Sequence, residues 1–231
     1  TMPMAVKDFA GARYLVLATR KGKIKRTPLS QFAAVRANGL IALGIEEGDE
    51  LAWVRMSKGN QDIIIVTAQG KSIRFSEDDA RPMGRPAAGV TAIRLAGGDV
   101  VVGMDVVEPG HDLVFVSANG LGKRTAIDEY PRQGRGGSGV IAMRVTDKTG
   151  PLVGARMVTG EDNLMMITSK GIVIRIQGEQ ISRIGRATQG VSLMKVGKGD
   201  RLVSMALVDS TQNNGTNGTG DLAEVEAVAG D

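Results

Sequence analysis

One pattern returns four times along the chain, and no other feature restricts the possible folds as much. "YLVLATRKGKIKR" from Tyr14 is followed by "DIIIVTAQGKSIR" from Asp62, "DLVFVSANGLGKR" from Asp112 and "NLMMITSKGIVIR" from Asn163. Each copy has four apolar residues, a Thr or Ser, two mostly polar residues, a glycine, three variable residues and an arginine. The glycines are Gly22, Gly70, Gly120 and Gly171, spaced 48, 50 and 51 residues apart. Self-similarity at such a period decides architecture before local propensity does.

Two further landmarks keep the same step. The first is a Gly–Arg element, "VRANGLIAL", "GRPAAGVTAIRL", "GRGGSGVIAMRV" and "GRATQGVSLMKV", in which Arg36, Arg85, Arg135 and Arg186 precede Gly39, Gly89, Gly139 and Gly190. The second is a turn ahead of an apolar run, "EGDELAWV", "GGDVVVGM" and "KGDRLVSM", with "KTGPLVGA" as the copy that lacks the aspartate. Apolar runs of four to six residues punctuated by Gly, Asn and Asp are too short for helices and read as strands joined by tight turns. Four runs per period give four strands. A four-stranded unit of about fifty residues that cannot bury both faces alone is the blade of a propeller. The expectation is an all-β protein of four repeats, about 14–61, 62–111, 112–162 and 163–210 within a domain spanning 1–210, followed by a flexible acidic tail at 211–231. The stretches "TPLSQFAAV", "SEDDARPM", "IDEYPRQ" and "QGEQISRI" read as crossing connections.

The formal net charge is +4, but the last 21 residues carry four acids and no Lys or Arg, so residues 1–210 hold a net +8. A basic body with an acidic tail points to a polyanionic partner. Each first-turn cluster adds Lys25, Arg26, Arg74, Lys123, Arg124 or Arg175, and the Gly–Arg elements add Arg36, Arg85, Arg135 and Arg186. A recurring rim of cations suits a curved phosphate backbone rather than a base sequence. For the arginines four residues past the first glycine, an alternative stays open: a structural ion pair with Asp49, Asp99, Asp147 or Asp200. The first-turn glycines read as turn residues, Trp53, Phe115, Met165 and Met166 as core, and Tyr14 and Tyr130 as packing residues.

Other chemistries find little support. With no cysteine and His111 as the lone histidine, thiolate zinc sites, cysteine nucleophiles and histidine metal clusters are excluded. "GRGGSG" lacks the spacing and Lys-Ser/Thr ending of a P-loop. No run reaches the ~20 apolar residues of a membrane helix, so the chain is expected to be soluble, cytoplasmic and monomeric. The Asn-Gly-Thr triplets at Asn214 and Asn217 gain meaning only in a secreted chain.

The succession "GKIKRTPLSQF", "RFSEDDARPMGRPAAGVTAIRL", "NGLGKRTAIDEYPRQGRGGSGVIAMRV" and "NLMMITSKGIVIRIQGEQISRIGRATQGVSLMKV" resembles the C-terminal domain of the DNA gyrase A protein over nearly all of residues 5–208. The resemblance implies a propeller-like β-pinwheel whose blades exchange strands, and a domain that wraps duplex DNA on its positive rim in support of ATP-dependent negative supercoiling by a type IIA topoisomerase. It implies as partners the N-terminal cleavage domain of the same polypeptide and the gyrase B protein, with ATP and Mg²⁺ acting elsewhere in that enzyme and no cofactor or catalytic residue in this chain. The four repeats resemble the last four of the family's six, leaving open whether they close or form an arc. The family's basic heptapeptide has its nearest match in Gln133, Gly134, Arg135, Gly136, Gly137, Ser138 and Gly139, which lacks two of the three basic residues. The tail resembles an acidic extension that competes with DNA. The homologous domain of topoisomerase IV and a propeller serving as a protein-interaction scaffold are the alternative readings.

Overall fold

A computed structural model of the chain describes residues 6, 13–34 and 38–208. Repeat one supplies β1 (Tyr14–Thr19), β2 (Lys23–Pro28) and β3 (Leu51–Ser57). Repeat two supplies β4 (Asp62–Thr67), β5 (Lys71–Ser76), β6 (Val90–Thr91) and β7 (Val101–Val106). Repeat three supplies β8 (Asp112–Ser117), β9 (Leu121–Ala126), β10 (Val140–Ile141) and β11 (Leu152–Val158). Repeat four supplies β12 (Asn163–Thr168), β13 (Val173–Gln177), β14 (Val191–Ser192) and β15 (Leu202–Val208). The architecture is all-β and propeller-like, as the period predicts.

The blades do not coincide with the repeats. Sheet orders are β3-β1-β2-β6, β7-β4-β5-β10, β11-β8-β9-β14 and β15-β12-β13. Each of the short strands β6, β10 and β14 leaves its own repeat and pairs antiparallel with the hairpin of the preceding one, as in Val90↔Ile24, Val140↔Ser72 and Val191↔Gly122. Four strands per repeat holds for repeats two, three and four, and among the described residues exchange assembles these strands into three blades of four strands and one of three. The connections cross between blades as expected. Each passes through a short 3₁₀ turn and then runs parallel to the preceding hairpin at Arg26↔Pro82, Arg74↔Arg132 and Arg124↔Arg183.

The apolar runs are continuous rather than alternating because a blade buries both faces between its neighbours. In β4, Ile63 and Ile65 pack toward the first blade with Val16 and Ile24, while Ile64 and Val66 pack toward the third with Phe115 and Tyr130. Phe115 and Met166 are fully buried, whereas Trp53 and Met165 are half-buried, so the core reading holds fully only for the first pair.

The innermost strands β3, β7, β11 and β15 pack in order around a common hub, a cleft of about 260 Å³ lined by all four. Three successive inner strands place Arg55, Asp105 and Arg156 at equivalent positions. Arg55 Nε donates to Asp105, and Arg156 Nε donates to it at 2.9 Å. The backbone N–H of Met157 donates to the same carboxylate at 3.0 Å. One buried carboxylate therefore ties three blades together.

Exchange also explains a glycine. Gly139 has φ +68°, and a Cβ there would lie 2.2 Å from the Ser72 carbonyl oxygen, where β10 reaches the neighbouring hairpin. Gly39 holds the same place in repeat one with φ +74°, yet among the described residues nothing lies within 4 Å of its Cβ position. We expect Gly139→Ala to cost about 3 kcal/mol and Gly39→Ala about 1 kcal/mol, since both bear the left-handed penalty and only one the backbone collision. Urea denaturation of the two variants measures the difference.

Candidate nucleic-acid interface

The inner strands pack on one another at the hub, so the opposite sheet edges, where the exchanged strands lie, form the perimeter. The cations of the sequence pattern divide there into those consumed by the fold and those left available.

Three of the four arginines that stand four residues past the first glycine are engaged by the fold. Arg26 Nε donates to the Ala80 carbonyl at 3.0 Å, and its Nη1 meets Asp78 at 2.8 Å and Glu77 at 3.4 Å. Arg74 pairs with Asp62 at 2.9 Å and donates to the Ile127 carbonyl at 3.1 Å. Arg124 pairs with Asp112 at 3.3 Å and donates to the Ile181 carbonyl at 3.0 Å. Each latches its hairpin to the connection arriving from the next repeat. Arg175 closes only the local half of this device, donating to Asn163 Oδ1 at 3.0 Å. Asp62 and Asp112 each take a second cation from the incoming connection, Arg132 at 3.2 Å and Arg183 at 3.0 Å.

For Arg26, Arg74 and Arg124 the structural ion-pair reading holds and only the partners are corrected: they are Glu77, Asp78, Asp62 and Asp112 rather than the turn aspartates. Guanidiniums engaged in this way at the seams are not poised for phosphate, whereas Arg175 is exposed and without a carboxylate partner among the described residues. Asp49, Asp99 and Asp200 instead accept backbone N–H groups from the adjacent hairpin turn, those of Lys21, Gln69 and Lys170. Lys25 and Lys123 are corrected likewise. Both are fully buried, with Nζ donating to main-chain carbonyls, so neither presents its charge to an external backbone. Tyr130 is buried against Phe115 and flanks nothing outside.

The Gly–Arg arginines behave differently. Arg135 Nε donates to the Asp79 carbonyl at 3.1 Å, and its Nη1 donates to the Thr91 carbonyl. Arg186 Nη1 donates to the Ile141 carbonyl at 2.6 Å. Each reaches the exchanged strand of the preceding repeat, and carbonyls orient a guanidinium without cancelling its charge. Among the described residues the guanidiniums of Arg85, Arg135 and Arg186 have no carboxylate oxygen within 4.0 Å, and the three residues are half-buried; the one carboxylate at hand, that of Glu129, accepts the backbone N–H of Arg186 at 2.8 Å. Arg36 lies outside the described residues.

A second recurring cation is missing from the sequence candidates although it stands in the quoted segments. Arg94, Arg144 and Lys195 each follow an exchanged strand by three residues, are exposed, and have no acidic partner among the described residues. Their period is the signal that marks them. Arg94 N donates to the Gly137 carbonyl at 2.9 Å, and Arg144 N to the Thr188 carbonyl at 2.9 Å. Arg94 is thereby seated beside the turn of Arg135, and Arg144 beside the turn of Arg186, one cation from each of two successive repeats at one seam.

The degenerate heptapeptide, Gln133 to Gly139, forms the connection and turn ahead of β10. Its backbone is engaged by the fold: Gln133 N donates to the Arg74 carbonyl at 2.7 Å and Gly136 N to the Ala92 carbonyl at 2.7 Å. Gly139 is enclosed by the Ser72 backbone, whereas Gly134 and Ser138 are exposed and Arg135 is the one cation of the segment. Among the described residues no three His, Cys, Asp or Glu side chains gather as metal ligands, and no helix is long and apolar enough to cross a membrane.

Comparison with known proteins agrees with this geometry. A family model described as the DNA gyrase C-terminal domain, beta-propeller, matches residues 13–58, 61–108, 111–159 and 162–209, one match per repeat. The DNA gyrase A protein of Halalkalibacterium halodurans is 57% identical over 204 residues, 88% of this chain and 24% of that protein. The DNA gyrase A protein of Staphylococcus epidermidis is 44% identical over 238 residues, 99% of this chain and 27% of that protein. The chain thus spans about a quarter of the length of these curated relatives. A solved gyrase A C-terminal domain aligns with TM-score 0.78 and 26% identity, over 87% of this chain and 68% of the other. The C-terminal domain of DNA topoisomerase IV shares the fold, with TM-score 0.82 and 23% identity over 88% of this chain and 64% of the other. With a family match in each of its four repeats and these gyrase A relatives, the chain belongs to the DNA gyrase C-terminal domain family of β-propellers.

Proposed function

We propose that this chain is the DNA-binding and DNA-wrapping module of a gyrase A protein, holding duplex DNA along its perimeter through phosphate contacts. The observation that carries the proposal is the pair of uncompensated cations repeated at successive seams, Arg94 with Arg135 and Arg144 with Arg186. Cations in register along a curved edge neutralise successive phosphates while reading no base, which is the logic of backbone-plus-deformability binding. Gyrase is preferred to topoisomerase IV because the curated relatives at 57% and 44% identity are gyrase A proteins.

In this reading the module bends a DNA segment and presents it to the cleavage domain of the same polypeptide, with the gyrase B protein, ATP and Mg²⁺ supplying the energy and chemistry in the cytoplasmic holoenzyme. No group in this chain is assigned a catalytic role. The test is ligation of nicked plasmid with increasing protein, followed by deproteinisation and gel analysis of linking number. A protein-dependent shift is expected. Salt-sensitive binding without a shift limits the module to gripping DNA, and absence of binding at physiological salt favours a protein-interaction scaffold.

A further inference from the structure

Two buried lysines serve neither the hub nor the seam ion pairs. Lys25 and Lys123 occupy equivalent positions on β2 and β9, and the same position on β5 is Ile73. Lys25 Nζ donates to the carbonyls of Ala42 at 2.6 Å, Arg85 at 2.5 Å and Gly84 at 3.3 Å. Lys123 Nζ donates to the carbonyls of Gly185 at 2.8 Å and Arg186 at 2.5 Å, and sits 5.6 Å from the centre of the Phe115 ring. No carboxylate lies within 4.0 Å of either ammonium among the described residues. Both cations therefore end in the main chain of the Gly–Arg turn of the following repeat.

We propose that Lys25 and Lys123 are positioning residues whose buried positive charge holds the Arg85 and Arg186 turns in register for DNA phosphate, a proposal that rests on the DNA-binding reading above. The second blade shows that closing a blade does not require the lysine. Ile73 is fully buried there and offers no hydrogen bond, and the segment is held by main-chain bonds, Gln133 N to the Arg74 carbonyl and Gly136 N to the Ala92 carbonyl, both at 2.7 Å. Where lysine replaces it, an ammonium adds bonds to the carbonyls of the turn. In the third blade the grip is two-sided, since Glu129 Oε2 accepts the backbone N–H of Arg186 at 2.8 Å while Lys123 binds the carbonyl of the same residue. A buried ammonium is costly unless fully bonded, and these carbonyls are what make it tolerable.

The arrangement is sensitive to pH. Burial pulls the Lys123 ammonium down to about 8, Glu129 opposes the fall and Arg186 adds to it. Burial also lowers Lys25. Nearby Tyr130 is held above the usual phenol range by burial and stays neutral throughout. Above pH 8 folded Lys123 has released a proton that the unfolded chain keeps until about 10.5. In that window the unfolded state binds more protons, so this group makes the fold more stable as pH rises. Its bonds to the turn meanwhile change from charge-assisted to neutral, about half as strong. Stability and DNA grip therefore move in opposite directions, which a lysine serving the fold alone does not produce.

The test is the affinity of the chain for a short duplex at fixed salt between pH 7 and 9, a range in which exposed lysines keep their charge. We expect the unaltered chain to lose about fivefold in affinity across this range, with no loss of thermal stability. Lys123→Met and Lys25→Met should begin weaker at pH 7, and the double variant should show a flat profile. Equal affinity and an equal pH profile for the double variant and the unaltered chain overturn the proposal. If a variant does not fold, NMR of the unaltered chain decides: the amides of Gly185 and Arg186 should titrate together with the Lys123 ε-methylene near pH 8, and amides that ignore that titration overturn it. Binding that is absent at every pH instead sinks the DNA reading itself, and this proposal with it.

Discussion

Replacing Arg85, Arg135 and Arg186 together by Ala is expected to reduce affinity for duplex DNA by about two orders of magnitude at moderate salt and to abolish any shift in linking number. Each arginine stands on a Gly–Arg turn, none of the three guanidiniums has a carboxylate oxygen within 4.0 Å among the described residues, and Arg135 and Arg186 are anchored to carbonyls of the exchanged strands. Loss of one phosphate contact lowers the slope of log affinity against log salt by about 0.9, so three should lower it by about 2.7. Fluorescence anisotropy of a labelled duplex across a salt series reads both quantities. The fold should survive, because the hub and the seam ion pairs are untouched. Arg26→Ala makes the contrasting control: it strips Glu77, Asp78 and the Ala80 carbonyl of a common partner. Its effect should appear as lost stability, with the salt slope retained in whatever remains folded. An unchanged slope in the triple variant would falsify the assignment of these arginines to phosphate.

Asp105→Ala should be the most destabilising single substitution at the hub, at about 3 kcal/mol. The carboxylate is buried and accepts from Arg55, from Arg156 and from the backbone of Met157, so its removal leaves two partly buried guanidiniums facing each other. Breaking a buried pair by removing one partner typically costs about 3–5 kcal/mol, and the lower end suits arginines that keep some contact with solvent. Denaturant unfolding gives the number directly. A further variant that also changes Arg55 and Arg156 to Met should recover part of the loss, because apolar groups do not suffer from the missing charge. A loss below about 1 kcal/mol in Asp105→Ala would mean that blade faces, rather than the hub, carry cooperativity between repeats.

The Gly–Arg arginines are legible in the chain through a local feature, the scarcity of acids near them in sequence, and the absence of an acidic partner in the described structure is consistent with it. The same local logic fails for Arg26, Arg74 and Arg124. The acids and carbonyls that bind them beyond their own hairpins come from the next repeat, about fifty residues away, as with Arg26 and Ala80 or Arg124 and Ile181. Lys25 and Lys123 fail for a related reason, since a lysine inside a strand pattern gives no sign that its head reaches carbonyls sixty residues on. Arg94, Arg144 and Lys195 share a visible period, but a cation just past a short apolar run looks like the ordinary solvated end of a strand. Only their seating beside the next Gly–Arg turn sets them apart.

By itself the sequence determined the number of repeats, the hairpins, the turn glycines and the strand runs, because each depends on residues close together and on a period that survives without knowledge of contacts. Tertiary structure alone decided which hairpin each short strand joins and which cations stay free. A two-residue strand carries too little pattern to choose between its own hairpin and the preceding one, and the choice falls to interblade packing, where the backbone of Ser72 leaves room at position 139 for a glycine and no side chain. The state of a cation depends on what lies within about 4 Å of it, and in a molecule built by exchange those neighbours belong to another repeat.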